Sequence, residues 1–372
     1  MSRRTTPLLK AALLALHVTR ADRLYARTAT SARGVIFMLH HVVPDEPKAF
    51  SPNRILKVTP QFLEVVIEET RRQGFECISM DEVEHRVRQG GDQKPFAAFT
   101  FDDGYRDNAV HAFPIMKRHS VPFTVYVSPD FADGNANIWW LALEEAIARA
   151  DEVSISLPRG ERTFQTKSVA QKNQCFHDIY WALRDMPERK ARALVRTLAE
   201  RVTYDPRALA RTLPMTWDEI RDLAADPLVT IGAHTIGHYA LAKLDRADAH
   251  AEMKGSIERI EAELGQPCRH FSYPYGDSMS AGSREFEIAK EIGVATAVTT
   301  QKGIVSLAGG PRDLQALERL SLNGDYQRRQ YLSVLLSGLP FALRNGVLGL
   351  KQRARAGVGQ YLPIRYVLGN SR

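Results

Sequence analysis

Short apolar runs alternate with helical stretches along most of this chain, and that alternation narrows the available architectures more than any other feature. The runs GVIFML (34–39), FECISM (75–80), AAFTF (97–101), PFTVYV (122–127), LVTIGA (228–233), RHFSYP (269–274) and VATAVTT (294–300) are rich in Val, Ile, Phe and Thr and read as buried strands. Between them, TPQFLEVVIEETRRQG opens on a Thr–Pro start and stops at Gly74. RADAHAEMKGSIERIEAELG has helical spacing and also stops at a glycine, and SREFEIAKEIG reads as a short helix before the last strand. Repeated strand–helix alternation predicts the α/β class with a parallel sheet, open or closed into a barrel. One region breaks the rhythm. Residues 135–213 are mostly helical in pattern and are expected to form a helical subdomain inserted between two core strands, overhanging the C-terminal edge of the sheet.

The 372 residues suit one large domain with insertions. Cys77, Cys175 and Cys268 are far apart and form no CxxC pair, so neither a disulfide framework nor a thiolate zinc site is expected, and a reducing compartment fits. The net charge of +7 sits at the ends. Residues 1–33 carry +6 and residues 340–372 another +6, which leaves −5 for the middle. A nucleic-acid enzyme would want its basic groove in the body, so that class is disfavoured. Basic ends fit peripheral contact with an anionic membrane surface instead.

LLKAALLALHV (8–18) follows Arg3 and Arg4, is interrupted by Lys10 and has no small-residue cleavage site after it. It is too short to span a bilayer. It reads as a basic amphipathic helix rather than a secretion signal, and a cytoplasmic protein, peripheral at the inner membrane face, is expected. Leu336, Leu339, Leu343, Val347 and Leu350 form an apolar stripe that Pro340 and Gly346 should interrupt, either a packing helix or a membrane-surface helix. The expected division is a basic segment 1–33, a core 34–325 and a basic amphipathic segment 326–372.

Chemistry collects at the strand ends. AAFTF runs into Asp102-Asp103, LVTIGA into His234 with His238 four residues on, RHFSYP into Tyr275, and GVIFML into His40-His41. In a parallel barrel all these ends share one rim. His234 and His238, at i and i+4, face one way if they lie on a helical turn. Two imidazoles and one carboxylate make a ligand set for a catalytic divalent metal. One aspartate of the pair can bind the metal and the other can serve beside it as a base, because the cation's charge relieves their repulsion.

TFDDGY, HTIGH and SYPYG resemble three signature motifs of the polysaccharide deacetylase family, the NodB-homology or carbohydrate esterase family 4 enzymes. The resemblance covers roughly 34–325 outside the insertion. It implies a distorted (β/α) barrel that hydrolyses N-acetyl groups from amino sugars in a polysaccharide, an oligosaccharide or a lipid-linked glycan. By that likeness Asp102 is the base that activates water, while Asp103, His234 and His238 hold the metal, most often Zn2+. Thr235 then braces the metal loop, and the Tyr275 N–H helps to hold the oxyanion. Two positions depart from the pattern: Ser272 stands where the family has an arginine, and Asn323 lies where a late acid histidine is sought. MLHHV resembles an element of exopolysaccharide deacetylases related to the poly-N-acetylglucosamine enzymes, which implies His40 as the acid. Arg319 in ERLSL is the candidate for the missing guanidinium. Trp139-Trp140 reads as helix packing ahead of a sugar platform, and Glu144 and Glu145 as a solvated helix face. A glycan-binding protein with weakened catalysis and an O-acetyl esterase are the competing expectations.

Overall fold

The structure, a computed structural model, describes residues 5–28, 33–307 and 313–344. Seven parallel strands close a ring: β1 (Arg33–Leu39), β2 (Phe96–Phe101), β3 (Phe123–Val127), β4 (Val229–Ala233), β5 (His270–Ser272), β6 (Thr296–Lys302) and β7 (Leu317–Ser321). They pair in the order β1-β7-β6-β5-β4-β3-β2, and β2 pairs back onto β1. Closure removes the exposed sheet edges that an open arrangement would leave.

The membership of the ring differs from the expectation at one strand. FECISM supplies only Glu76–Cys77, a two-residue strand beside β2 and outside the ring. The seventh place is taken by Leu317–Ser321, where an inward arginine interrupts the apolar run and hides the strand from a hydropathy reading.

The period of two along each strand sorts side chains into two cores. Outward-facing Val35, Phe37, Leu39, Phe99 and Phe101 pack beneath the surrounding helices. Inward-facing Ile36, Ala98, Tyr126, Val298 and Leu317 fill the lower barrel. A buried side chain of this size contributes roughly 1.5–3 kcal/mol.

Helix α1 (Thr5–Val18) precedes the barrel, and α2 (Pro60–Arg72) covers its early strands. Thr59 caps α2, its hydroxyl accepting from the Phe62 N–H at 3.1 Å. The insertion contains α3 (Trp139–Arg149), α4 (Val169–Arg184) and α5 (Glu188–Arg201). It also contains an unexpected antiparallel hairpin, Glu152–Leu157 with Gly160–Gln165. Val153, Ile155 and Leu157 alternate inward there, but the partner strand is largely exposed and carries no apolar signal. The insertion has a core of its own around Leu143, Ile147, Ile179 and Val195. Helices α6 (Arg246–Leu264) and α7 (Ser283–Glu291) fall where the helical spacing puts them, and Gly265 ends α6 in the left-handed region.

Helix α8 (Arg329–Leu336) docks beside α1 through Leu13, Tyr331 and Val334. The apolar stripe is interrupted at Gly338, φ +81°, ahead of Pro340, while Val347 and Leu350 lie outside the described residues. Among the described residues no helix is long and apolar enough to cross a membrane.

Candidate active site

Strand register assembles the rim. β1 pairs with β2 so that Leu39 lies opposite Phe101, which makes His40 and Asp102 the next pair along. β3 pairs with β4 so that Val127 lies opposite Ala233, and the next pair is Ser128 and His234, with Ser128 Oγ donating to the His234 carbonyl at 2.7 Å. The residues on these ends line one cleft of about 880 Å3, with His40, Asp102, Asp103, His234, His238 and Tyr275 among its lining residues. Helix α4, the loop around 48–56 and the start of α1 also contribute walls.

Asp102 is 2 % exposed and is held by a guanidinium from β7, two places round the ring from its own strand. Arg319 Nη1 donates to its Oδ1 at 2.8 Å and Nη2 to its Oδ2 at 2.7 Å. Such a two-point contact is the strong, directional form of the arginine–carboxylate pair. Ser272 Oγ donates to Oδ1 at 3.1 Å and accepts from Arg319 Nη2 at 3.1 Å. The remaining Arg319 donors reach the Thr299 carbonyl and Thr100 Oγ1. Burial pushes the Asp102 carboxyl up, but chiefly the charge of Arg319 and its hydrogen bonds outweigh it and hold the group below its ordinary range. The arginine sought at the Ser272 position thus enters from β7, and Ser272 is small enough to let it pass.

Asp103 has different neighbours. His238 Nε2 and His234 Nε2 stand 3.1 and 3.3 Å from its Oδ1, and all three groups are buried. That oxygen has no hydrogen-bond partner. Donor atoms about 2.0–2.1 Å from one tetrahedral zinc ion stand about 3.3 Å apart, so the spacing fits a shared cation. His234 Nδ1 lies 2.6 Å from the Ser272 carbonyl, which fixes its proton there and turns the Nε2 lone pair toward Asp103. Among the described residues these three form the cluster able to hold a metal ion.

The local backbone is strained to achieve this. Asp103, Thr235, His238 and Tyr275 have φ of +75°, +59°, +56° and +61°, four of the seven non-glycine residues with positive φ among those described. Such conformations cost free energy and persist where the surroundings enforce them. His234 and His238 therefore do not share a helical turn; they flank a loop with two left-handed residues. Nor does Thr235 brace that loop by hydrogen bonding, since its buried hydroxyl has no partner. The Gly237 N–H donates to Glu252 at 2.9 Å, and Arg192 Nη2 donates to the His238 carbonyl at 2.8 Å. Gly276, φ +54°, follows Tyr275 where an added Cβ would lie 2.6 Å from the Thr300 nitrogen. Only glycine fits there.

His40 lines the cleft with its Nε2 3.9 Å from Asp102 Oδ2, and burial lowers its pKa. His41 takes no part in the cleft lining. Its Nδ1 lies 2.6 Å from Asp107 Oδ2, and its ring stacks on Tyr105 at 3.7 Å. Asp107 Oδ1 accepts from the Val42 N–H and Asn108 donates to the His40 carbonyl, so YRDN after the aspartates positions the histidine loop. Those supporting residues were absent from the sequence expectations, although they follow TFDDGY directly in the chain. The Asn323 side chain contacts only near neighbours, its Nδ2 donating to Ser321 and its Oδ1 accepting from the Asp325 N–H at 3.1 Å.

The insertion reaches the same rim. Trp139 and Trp140 are 3 % and 5 % exposed, which removes them as an open sugar platform. Trp139 Nε1 donates to the Tyr275 hydroxyl at 2.8 Å, and the Trp140 ring lies 5.0 Å from His238. Glu144 is not a solvated residue: it accepts from the Asn53 backbone N–H at 3.2 Å and side-chain amide at 2.7 Å, and burial pushes its carboxyl up. Glu145 stays half-buried beside Arg149.

A closed parallel barrel with a carboxylate–imidazole cluster on its C-terminal rim defines a class of α/β-barrel hydrolases. The family profile described as polysaccharide deacetylase matches residues 89–297, and the chain belongs to that family. Comparison with curated proteins gives no match. Among solved structures the fold is similar to Streptococcus pyogenes deacetylase PplD in complex with acetate, with TM-score 0.52 and 18% identity over 79% of this chain and 94% of that one. It is also similar to IcaB from Ammonifex degensii, with TM-score 0.52 and 16% identity over 82% of this chain and 98% of that one. At these identities the likeness establishes the shared barrel.

Proposed function

We propose that the protein removes N-acetyl groups from amino sugars of a glycan by metal-dependent hydrolysis. The observation that carries this reading is the pairing of two adjacent buried aspartates, one held by Arg319 and the other facing two imidazoles. Asp103, His234 and His238 would hold a divalent cation, and zinc suits a set of two nitrogens and one oxygen. When bound, such a cation supplies the positive charge that makes water more acidic and polarises the acetyl carbonyl.

Asp102 takes the proton of the attacking water as its oxygen bonds to the acetyl carbon. The Tyr275 N–H donates to the oxyanion that develops. His40 Nε2 gives a proton to the sugar nitrogen as the C–N bond breaks, so acetate and a free amine leave. Arg319 keeps Asp102 ionised and in register, which supports an enzyme over a binding protein with weakened catalysis. Acetate release from N-acetylglucosamine oligomers, with metal content measured alongside, is the test. Release that stops with a chelator and returns with zinc is expected. Metal and glycan binding without acetate would overturn the reading, and release from O-acetylated substrates alone would reassign it as an esterase.

We also propose peripheral contact with an anionic membrane, supported by the +6 at each end and by Leu8 and Val18, 72% and 77% exposed on α1. Cosedimentation with phosphatidylserine vesicles at low salt is expected, and its absence would refute the contact.

A further inference from the structure

The outer row of α4 is not used by the chemistry above. Asn173, His177 and Trp181 recur every four residues, share one stripe of the helix and line the cleft. The inner row is committed to the protein: Tyr180 stacks on Trp139 at 5.2 Å, and Arg184 lies 4.0 Å over the Tyr275 ring while donating to Asp277 and Ser280. The outer row has little of this. Asn173 donates only within its own helix, to the Val169 carbonyl, and His177 is exposed. Trp181 is 41% exposed, whereas the other three tryptophans are between 3% and 9%. Its ring makes T-shaped contacts with Tyr180 at 5.4 Å and His177 at 6.5 Å. A large indole left open on a cleft wall, beside an amide and an imidazole, is a surface suited to a ligand.

We propose that the Asn173–His177–Trp181 stripe is a glycan subsite that binds sugar rings flanking the acetylated residue. The proposal rests on the deacetylase reading. The indole stacks on the apolar C–H face of a pyranose, and the amide and imidazole hydrogen-bond its hydroxyls. At 1.5 Å rise per residue the stripe runs about 12 Å, longer than one sugar ring, so its occupant is an oligomer. A protein partner would call for a contiguous apolar patch; here an amide and an imidazole separate the indole from Val169, the other exposed apolar residue of the row.

The test uses the full chain and N-acetylglucosamine oligomers from the disaccharide upward. Trp181→Ala is expected to raise KM for the longer oligomers about tenfold, the loss that one stacking contact carries, and to leave kcat and the disaccharide unchanged. Trp181→Phe should retain most of the affinity, and Asn173→Ala should show a smaller loss with the same length dependence. A KM change that is equal at every length overturns the subsite, as does a change in self-association without length dependence. Calorimetric titration of the same oligomers separates the two levels. If wild type binds them, Trp181→Ala does not, and no acetate is ever released, the deacetylase reading fails and the subsite stands. Acetate release with a length-independent Trp181→Ala sinks the subsite alone.

Discussion

The two carboxylates of the FDDG turn are adjacent in the chain and equally buried at 2 % exposure, but their surroundings solve the problem of a buried charge in opposite ways. Asp102 is neutralised from within the fold, by a guanidinium that is itself fully buried and fully hydrogen-bonded. Asp103 faces two imidazoles and keeps an oxygen with no hydrogen-bond partner. Successive residues at a strand end point to different sides, so one turn of chain can give two carboxylates of the same cleft different neighbours. The comparison contrasts two like charges side by side: Asp102 has a counter-charge built into the fold, and under the proposed function Asp103 would take its own from a bound cation.

The largest effect that would break this contrast comes from the recruiting side. His234→Ala or Asp103→Asn should abolish both metal content and acetate release, read by elemental analysis and an acetate assay. Zinc at about 100 times its Kd should stabilise the wild type by roughly 2.7 kcal/mol in thermal melts and should leave these variants unmoved.

Next comes Asp102→Asn, which should keep the metal and its thermal shift while slowing turnover by about 10²–10⁴-fold, the range for loss of a general base. Metal loss in that variant would mean the two aspartates share the ligand role.

Arg319→Met should leave Asp102 buried without its partner and destabilise the fold by about 3–5 kcal/mol in denaturant titration. It should also remove a pH dependence whose sign is set by the depressed Asp102 pKa. With Arg319 present, the folded carboxyl binds fewer protons than the unfolded one. The stability it contributes is therefore present above the unfolded pKa and lost as pH falls through the folded value. The variant should lose that acid-side slope.

The smallest effect belongs to Ser272→Ala, which removes one neutral hydroxyl from the Asp102–Arg319 pair. About 0.5–1.5 kcal/mol is expected, with metal content intact. A loss as large as that of Arg319→Met would make Ser272 an equal partner instead of a spacer.

Much of this arrangement was legible before any fold was known, because strand ends are where parallel barrels converge and the ligand types are chemically distinctive. Asp102, Asp103, His234, His238 and His40 all carry that signal. Arg319 was legible only as a resemblance-driven guess, since a charged residue inside ERLSL makes a barrel strand look like a polar connection. The HTIGH geometry was misread for a different reason. Spacing of four suggests a helical face, and nothing in the letters reports that Thr235 and His238 adopt positive φ. Trp181 was passed over in favour of Trp139-Trp140 because composition cannot tell a buried aromatic from an open one.

The hydrogen bond from Trp139 to Tyr275, and the Arg184 guanidinium over the same ring, tie the inserted segment to the reaction rim. That segment is consequently not a cassette. Exchanging it for a counterpart from another barrel would take Arg192 from the His238 carbonyl as well as Trp139 from the Tyr275 hydroxyl, so under the proposed function a change in the wall that grips the glycan is also a change in the groups that do the chemistry.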